Sequence, residues 1–332
     1  MSVNLKRKSA AEIIKGNLKV LTLSEAQVEQ LLDQNALLIN LEKGFKALSR
    51  GDVQAPGRPE ISIPGKGFIL SMPAYQSGMQ VSVKMVSVFE GNLSHNLPNH
   101  LAVINLFDSE TGKPVCIMDG TYITAIRTSA SAVLSVKLLS RTDSKIATIL
   151  GAGVQGREHL KLLPLVRDLE KVFVGSLYFE DAQKLAALHE KAMAIENFEA
   201  AVRQSDIVCL CSHSYNPIIE KDWVKPGTHI SSVGYAPPEG ELPRELAQIC
   251  SLFVETRDAF EQPPVGCGEL ADLDPDPGTE LGEMLLGIHP GRQSNSEITV
   301  YKAMGVAMED MVAANLAYQR ANQEGVGIYI VL

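Results

Sequence analysis

Ile146-Ala-Thr-Ile-Leu-Gly-Ala-Gly-Val-Gln-Gly156 carries an apolar run of strand type, residues 145–150, straight into Gly151, Gly153 and Gly156. A GxGxxG triplet alone says little. Between a strand and a helix, each glycine has its own task. Gly151 permits the tight turn, Gly153 lets the backbone approach a pyrophosphate, and Gly156 allows close helix–strand packing. The pyrophosphate then sits on the helix N-terminus, where N–H groups without helical partners and the helix dipole favour negative charge. Cofactor contacts are expected from Gly151, Gly153, Val154, Gln155 and Gly156.

Downstream of the loop, short apolar strands alternate with helical segments. The expected strands are residues 171–174, 206–211, 229–233 and 252–255. Such alternation predicts an α/β fold with a parallel sheet. Ser212 and His213 follow one of these strands, and Val233 and Gly234 end the next, so all four are expected at the cofactor. The strand after the glycine loop runs into Gly175-Ser176-Leu177-Tyr178. The acid that would hold a ribose 2′-OH is missing there, and no Arg replaces it for a 2′-phosphate. Ser176 can bond either nucleotide, so NAD(P)H is expected with the choice between NAD and NADP open.

Upstream the character differs. Residues 17–50 predict a strand and then a helix capped by Ser24, with Val28, Leu31, Leu32 and Leu38 on its apolar face. Residues 51–68 are rich in Gly and Pro. Residues 69–118 alternate in β fashion, with a hairpin-type turn at 108–112. A helix rich in small residues is expected over 121–140. A long one is expected over 299–323, with Met304, Met308, Met311 and Val312 as a core-packing stripe. Residues 326–332 read as a short strand or docked tail.

The 332 residues suggest two domains, and 45% hydrophobic against 21% charged residues is ordinary globular composition. Thirty Lys and Arg against 39 Asp and Glu give a net charge of −9. That balance argues against a nucleic-acid partner, though not against a small anion held by a few inward cations. Cys116, Cys209, Cys211, Cys250 and Cys267 form neither a CxxC pair nor a zinc pattern, so no metal is expected and the reading is of thiols in a reducing cytoplasm. Residues 1–15 carry Lys6-Arg7-Lys8 without an apolar stretch behind them, so no secretory signal is expected. No apolar run approaches the length of a membrane span.

Several segments, in this order, resemble the ornithine cyclodeaminase/μ-crystallin family along nearly the whole chain. They are residues 65–75 with Met72-Pro73, Val81-Ser82-Val83-Lys84, residues 119–129 with Thr124-Ala-Ile-Arg127-Thr128, the glycine loop, Asp206-Ile-Val208, residues 225–230 running into Val233-Gly234, Glu280-Leu-Gly-Glu283, and Glu297-Ile-Thr-Val-Tyr-Lys302. The resemblance implies an α/β protein with a Rossmann domain, residues 129–304, inserted into an α+β substrate-binding and dimerisation domain, residues 1–128 plus 305–332. It implies a homodimer that uses NAD(P)H on α-amino or α-imino acids.

Arg58, Lys84 and Arg127 fall on the family's carboxylate-binding cations, with Lys84 and Arg127 also expected to be catalytic and Met72 expected beside the substrate. Arg suits a carboxylate because its planar fork meets two oxygens at once. Lys84, desolvated among other cations, would have a lowered pKa and exchange protons near neutrality. His95 and His100 flank a loop expected to border the substrate, as a general acid or a second carboxylate contact.

Two departures shape the expected reaction. Cyclodeaminases of the family carry a Glu two residues before the Met-Pro, where this chain has Leu70. They carry an Asp shortly after the Val-Gly, where this chain has Ala236 in a segment one residue shorter. Without those proton relays, the expectation is NAD(P)H-dependent reduction of a small α-imino acid to the L-amino acid, or the reverse. Candidate substrates are a ketimine such as pyrroline-2-carboxylate, or an acyclic imine such as iminosuccinate or iminopyruvate. The alternatives are an ornithine cyclodeaminase and a non-catalytic NADP and small-ligand binder of μ-crystallin type. Glu239 and Glu241 are expected to be exposed loop acids, and Asn315, His159 and His189 carry no signal.

Overall fold

A computed structural model describes residues 18–234 and 236–332. The expectation for residues 1–15 lies outside them. Two eight-stranded sheets organise the chain. The first runs in the order Ile328–Val331, Lys19–Leu23, Pro114–Asp119, His100–Phe107, Val81–Phe89, Gly67–Gln76, Val53–Gln54, with Glu60–Ile63 also paired to Gly67–Gln76. It is antiparallel except where Lys19–Leu23 lies parallel to Pro114–Asp119. The alternating sequence over 69–107 becomes its central strands. Their inward residues, such as Met72, Lys84 and Ile104, stand in one row across three strands.

The second sheet is parallel throughout. Its order is Ala192–Ile195, Lys171–Gly175, Ile146–Leu150, Ile207–Leu210, His229–Ser232, Thr299–Lys302, Ser251–Val254, Thr279–Glu280. The chain steps outward from Ile146–Leu150 to one edge and returns to Ile207–Leu210 on the other side. Ile146–Leu150 and Ile207–Leu210 therefore flank a topological switch point, where open α/β sheets bind ligands beyond the strand carboxyl ends. The Rossmann sheet lies in sequence between the elements of the first sheet, as the resemblance implied.

Two helices join the layers. Thr121–Leu139 is almost wholly buried and packs against elements of both sheets. Ala307–Glu324 returns to the first sheet and buries Met308, Met311 and Val312. The expected boundary at 128/129 falls within the first of these helices, and that at 304/305 falls in the turn before the second.

The structure corrects three local expectations. The helix expected over 299–323 begins only at Ala307. Thr299–Lys302 is instead a fully buried central strand, as its β-branched and aromatic residues favour, and Gly305 at φ +77° breaks the chain between strand and helix. Met304 thus belongs to the turn and not to the helical stripe. The helix expected after Ser24 is two, Glu25–Leu31 and Gln34–Ser49, because Asp33 caps a new start by accepting from Ala36 N–H. His100 is the first residue of a strand, not a loop residue. The closing strand Ile328–Val331 pairs with Lys19–Leu23 and exposes its apolar side chains at the sheet edge.

Candidate active site

At the switch point the three loop glycines meet three different surroundings. Gly151 has φ +121°, and a Cβ there would run into the Cys211 carbonyl. A Cβ on Gly156 would run into the Gly151 carbonyl. Around Gly153, the N-cap of helix Val154–Leu162, nothing stands within 4 Å of where a Cβ would be, and Gly153 and Val154 are exposed. Two positions are closed by the protein's own backbone, and the one expected to face the pyrophosphate is open beside a helix start. The loop therefore fits a dinucleotide on the observed geometry.

The other expected cofactor residues are placed unequally. Gln155 is turned toward helix Thr121–Leu139, where Ser129 Oγ donates to its Oε1 at 2.8 Å. Ser176 is half-buried just after strand Lys171–Gly175, and Val233 is half-buried just after His229–Ser232. His213 is exposed, 3.8 Å from Glu90 of the first sheet's domain, and Tyr215 Oη donates to the same Glu90 carboxylate at 2.7 Å. Ser212 and Gly234 have their N–H groups engaged by Glu241, at 2.6 and 2.7 Å. Glu241 is therefore not the exposed loop acid expected, being 1% exposed, whereas Glu239 is exposed. Four donors around its two oxygens explain how a carboxylate tolerates that depth.

The expected substrate cations converge at the start of the last helix. Lys84 and Arg127 are 1% and 4% exposed. Lys84 Nζ pairs with Asp310 Oδ2 at 2.7 Å and donates to Thr124 Oγ1 at 3.4 Å. Arg127 Nε donates to Asp310 Oδ1 at 3.0 Å, and its Nη1 to Glu309 Oε2 at 2.6 Å. Their surroundings contain two buried carboxylates from the start of the last helix. Glu309 also accepts from Ser131 Oγ. Arg58 Nη1 donates to the Met304 and Gly305 carbonyls at 3.1 Å each. Gly305 in turn lies against the Arg127 guanidinium, which a Cβ would approach to 2.7 Å. The three cations therefore gather around Met304, Gly305 and Asp310. A cavity of about 90 Å³ beside them is lined by Arg58, Met72, Glu255, Met304 and Val306, among others.

Electrostatics follow from this crowding. Burial pushes Lys84 down to about 8, helped by Arg127 and opposed by Asp310. Burial would raise Asp310, but Arg127 and Lys84 together hold it below its ordinary value. Burial raises Glu309 well above its own, with Glu255 adding repulsion and Arg127 opposing. His100 is brought into the same field. Burial, then the charges of Lys84 and Arg127, push it down to about 4, so it stays neutral near pH 7 and is no second cation. His95 ends an exposed 3-10 turn.

Glu241 was anticipated only as a loop acid, and Glu255, Glu309 and Asp310 not at all. The last two left one signal, an acidic pair set between Met308 and Met311 on a helix face otherwise made for the core.

A parallel sheet with a dinucleotide-type glycine loop, joined to a second sheet that holds buried, carboxylate-paired cations, defines an oxidoreductase of the Rossmann class. The chain belongs to the ornithine cyclodeaminase/mu-crystallin family, whose model matches residues 18–325. It is 33% identical over 304 residues to the ketimine reductase mu-crystallin of Mus musculus, covering 89% of this chain and 96% of that protein. Among solved structures it is similar to Thermococcus litoralis Delta(1)-pyrroline-2-carboxylate reductase in complex with NADH and L-proline. The TM-score is 0.88 at 34% identity, over 94% of this chain and 100% of that one. An archaeal alanine dehydrogenase dimer with bound NAD gives a TM-score of 0.85 at 28% identity, over 94% and 99%.

Proposed function

We propose that the protein reduces a small α-imino acid to the L-amino acid, with a ketimine such as pyrroline-2-carboxylate as the leading substrate and iminosuccinate or iminopyruvate next. The observation that carries this reading is the convergence of Lys84 and Arg127 on the single carboxylate of Asp310. Arg127 spends Nε and Nη1 on Asp310 and Glu309, and its Nη2 has no partner among the described residues. Lys84 is ion-paired to Asp310 and donates to Thr124 Oγ1. The cations are thus oriented by fixed acids and keep donors for a second carboxylate, that of the substrate. Arg58 and Met72 border a cavity also lined by Gly305, which lies against the Arg127 guanidinium, and Arg58 adds positive charge there.

When bound, NAD(P)H supplies the hydride. Gly151, Gly153, Val154 and Gly156 would hold its pyrophosphate, with Ser176, Ser212, His213, Val233 and Gly234 bordering the remainder. Lys84 carries a proton at Nζ near pH 7 and sits close enough to its titration to pass it to the substrate nitrogen. Burial of the cations excludes water from their contacts, which strengthens each of them. Leu70 and Ala236 are buried apolar residues where cyclodeaminases carry carboxylates, which favours net reduction over cyclodeamination.

The domain division expected above, residues 1–128 with 305–332 around 129–304, belongs to this reading. So does a cytoplasmic homodimer. No helix among the described residues is long and apolar enough to cross a membrane, and the five cysteines are free. The exposed apolar edge strand Ile328–Val331 suits pairing with a second copy. The test is product analysis after incubating each imino acid with NADH and with NADPH. Formation of the L-amino acid from at least one supports the reading, and none from any member overturns it.

A further inference from the structure

At the carboxyl ends of two adjacent strands of the parallel sheet, two chain segments meet on one buried carboxylate. Glu241 Oε2 accepts from Ser212 N–H at 2.6 Å and Ser212 Oγ at 2.7 Å. Its Oε1 accepts from Gly234 N–H at 2.7 Å and Ser232 Oγ at 3.0 Å. Ser212 follows strand Ile207–Leu210, and Ser232 and Gly234 end the neighbouring strand, so one side chain ties together the carboxyl ends of two adjacent strands. The glycine loop rests on the first of these segments, because a Cβ on Gly151 would strike Cys211 and lie 3.0 Å from Ser212 N. Gly234 is itself fitted to the acid, since a Cβ there would stand 2.6 Å from Glu241 Cδ.

A second layer fixes the first. Lys302, fully buried, donates to Ser232 Oγ at 3.2 Å and to the Gly234 carbonyl at 2.7 Å, and pairs with Glu269 at 2.8 Å. Gly234 is therefore gripped at both its N–H and its C=O. Lys302 comes from the next strand of the sheet, so the network spans three strand ends. A buried carboxylate costs several kcal/mol unless its lone pairs are filled. Here they are filled from the segments that border the dinucleotide.

We infer that Glu241 is a positioning residue for the dinucleotide. It holds the Cys211–Ser212 and Val233–Gly234 segments at the spacing the cofactor requires, braced by Ser232 and the Lys302–Glu269 pair, without touching the reactants. The inference rests on the cofactor site proposed above. It predicts a separation of effects. Loss of the carboxylate loosens cofactor binding, while the imine pocket around Lys84 and Arg127, built on other elements, keeps its substrate KM.

The experiment measures NADH and NADPH affinity by nicotinamide fluorescence, and steady-state kinetics, for wild type, Glu241→Gln and Ser232→Ala. Circular dichroism reports whether each variant is folded. In Glu241→Gln an amide N–H₂ faces donors, so at least one charge-assisted bond is lost and the cofactor Kd is expected to rise about tenfold or more. Ser232→Ala removes the hydroxyl that bridges the Glu241 carboxylate and the Lys302 ammonium but leaves three of the four donors to Glu241, with an expected rise of about threefold or more. In both, kcat at saturating cofactor stays within about threefold of wild type and the imine KM is unchanged. A folded Glu241→Gln with wild-type Kd overturns the inference, as does a fall in kcat with Kd unchanged. If Glu241→Gln does not fold, Ser232→Ala decides, and a wild-type Kd there overturns the inference. A wild-type protein that binds neither nucleotide sinks the site reading and the inference with it. Wild-type binding with unperturbed variants sinks the inference alone.

Discussion

Lys84 Nζ lies 2.7 Å from Asp310 Oδ2, with both side chains shut off from water and the other Asp310 oxygen taken by Arg127. One carboxylate thereby sets the distance between two cations from different elements. Breaking a buried pair by removing one partner costs about 3–5 kcal/mol, since it leaves uncompensated charge. Asp310→Asn is expected to lose stability on that scale, read by urea unfolding. An unchanged midpoint and slope would contradict the role given to Asp310.

The same pair makes a pH prediction. Lys84 titrates at about 8 in the fold against 10.5 ordinarily, chiefly through burial. If its proton goes to the substrate nitrogen, kcat/KM for imine reduction falls as pH rises through about 8. A flat profile from pH 7 to about 9.5 would remove Lys84 as the donor. For stability, the sign follows from proton counts. Between about 8 and 10.5 the unfolded chain holds the Lys84 proton and the fold does not, so this group's contribution to stability grows with pH in that window. The unfolding free energy of wild type minus that of Lys84→Met should rise across it.

The glycine loop separates binding from folding. Gly153→Ala adds a methyl into open space, so the thermal midpoint should hold while nucleotide affinity falls, by about tenfold or more if the methyl meets a phosphate. Gly156→Ala places its methyl against the Gly151 carbonyl and should cost about 1–3 kcal/mol of stability by overpacking. Calorimetry paired with cofactor titration checks both. Equal loss of stability in the two variants would contradict the assignment of Gly153 to the ligand.

Ser176 stands where an acid would select against a 2′-phosphate. Ser176→Asp should lower kcat/KM with NADPH relative to NADH by about tenfold or more, through repulsion at close range. An unchanged ratio would show that the ribose is not held at this strand end.

The Rossmann sheet was legible because its signals are local. The glycine loop, the apolar strands and the switch in periodicity all lie within short windows, and each expected strand from 145 to 255 formed within a residue or two. The strand Thr299–Lys302 was missed because the helical pattern of Met308 to Val312 was extended backwards past Gly305. Lys84 and Arg127 were found by resemblance, but their partners Glu309 and Asp310 lie some 180 residues or more along the chain and meet them only when the last helix folds back. Glu241 looked like a loop acid because nothing nearby in sequence announces that Ser212 and Gly234 will surround it. Long-range pairing, which topology alone supplies, is what the sequence withheld.

The most direct test of imine reduction is the initial rate of loss of the nicotinamide absorbance. Purified protein is mixed with pyrroline-2-carboxylate, iminosuccinate or iminopyruvate, with NADH and NADPH in turn. Enzyme-dependent loss with at least one pair, abolished in Arg127→Met, is the expected result. A protein that binds the reduced cofactor yet leaves its absorbance unchanged with every imine would contradict it.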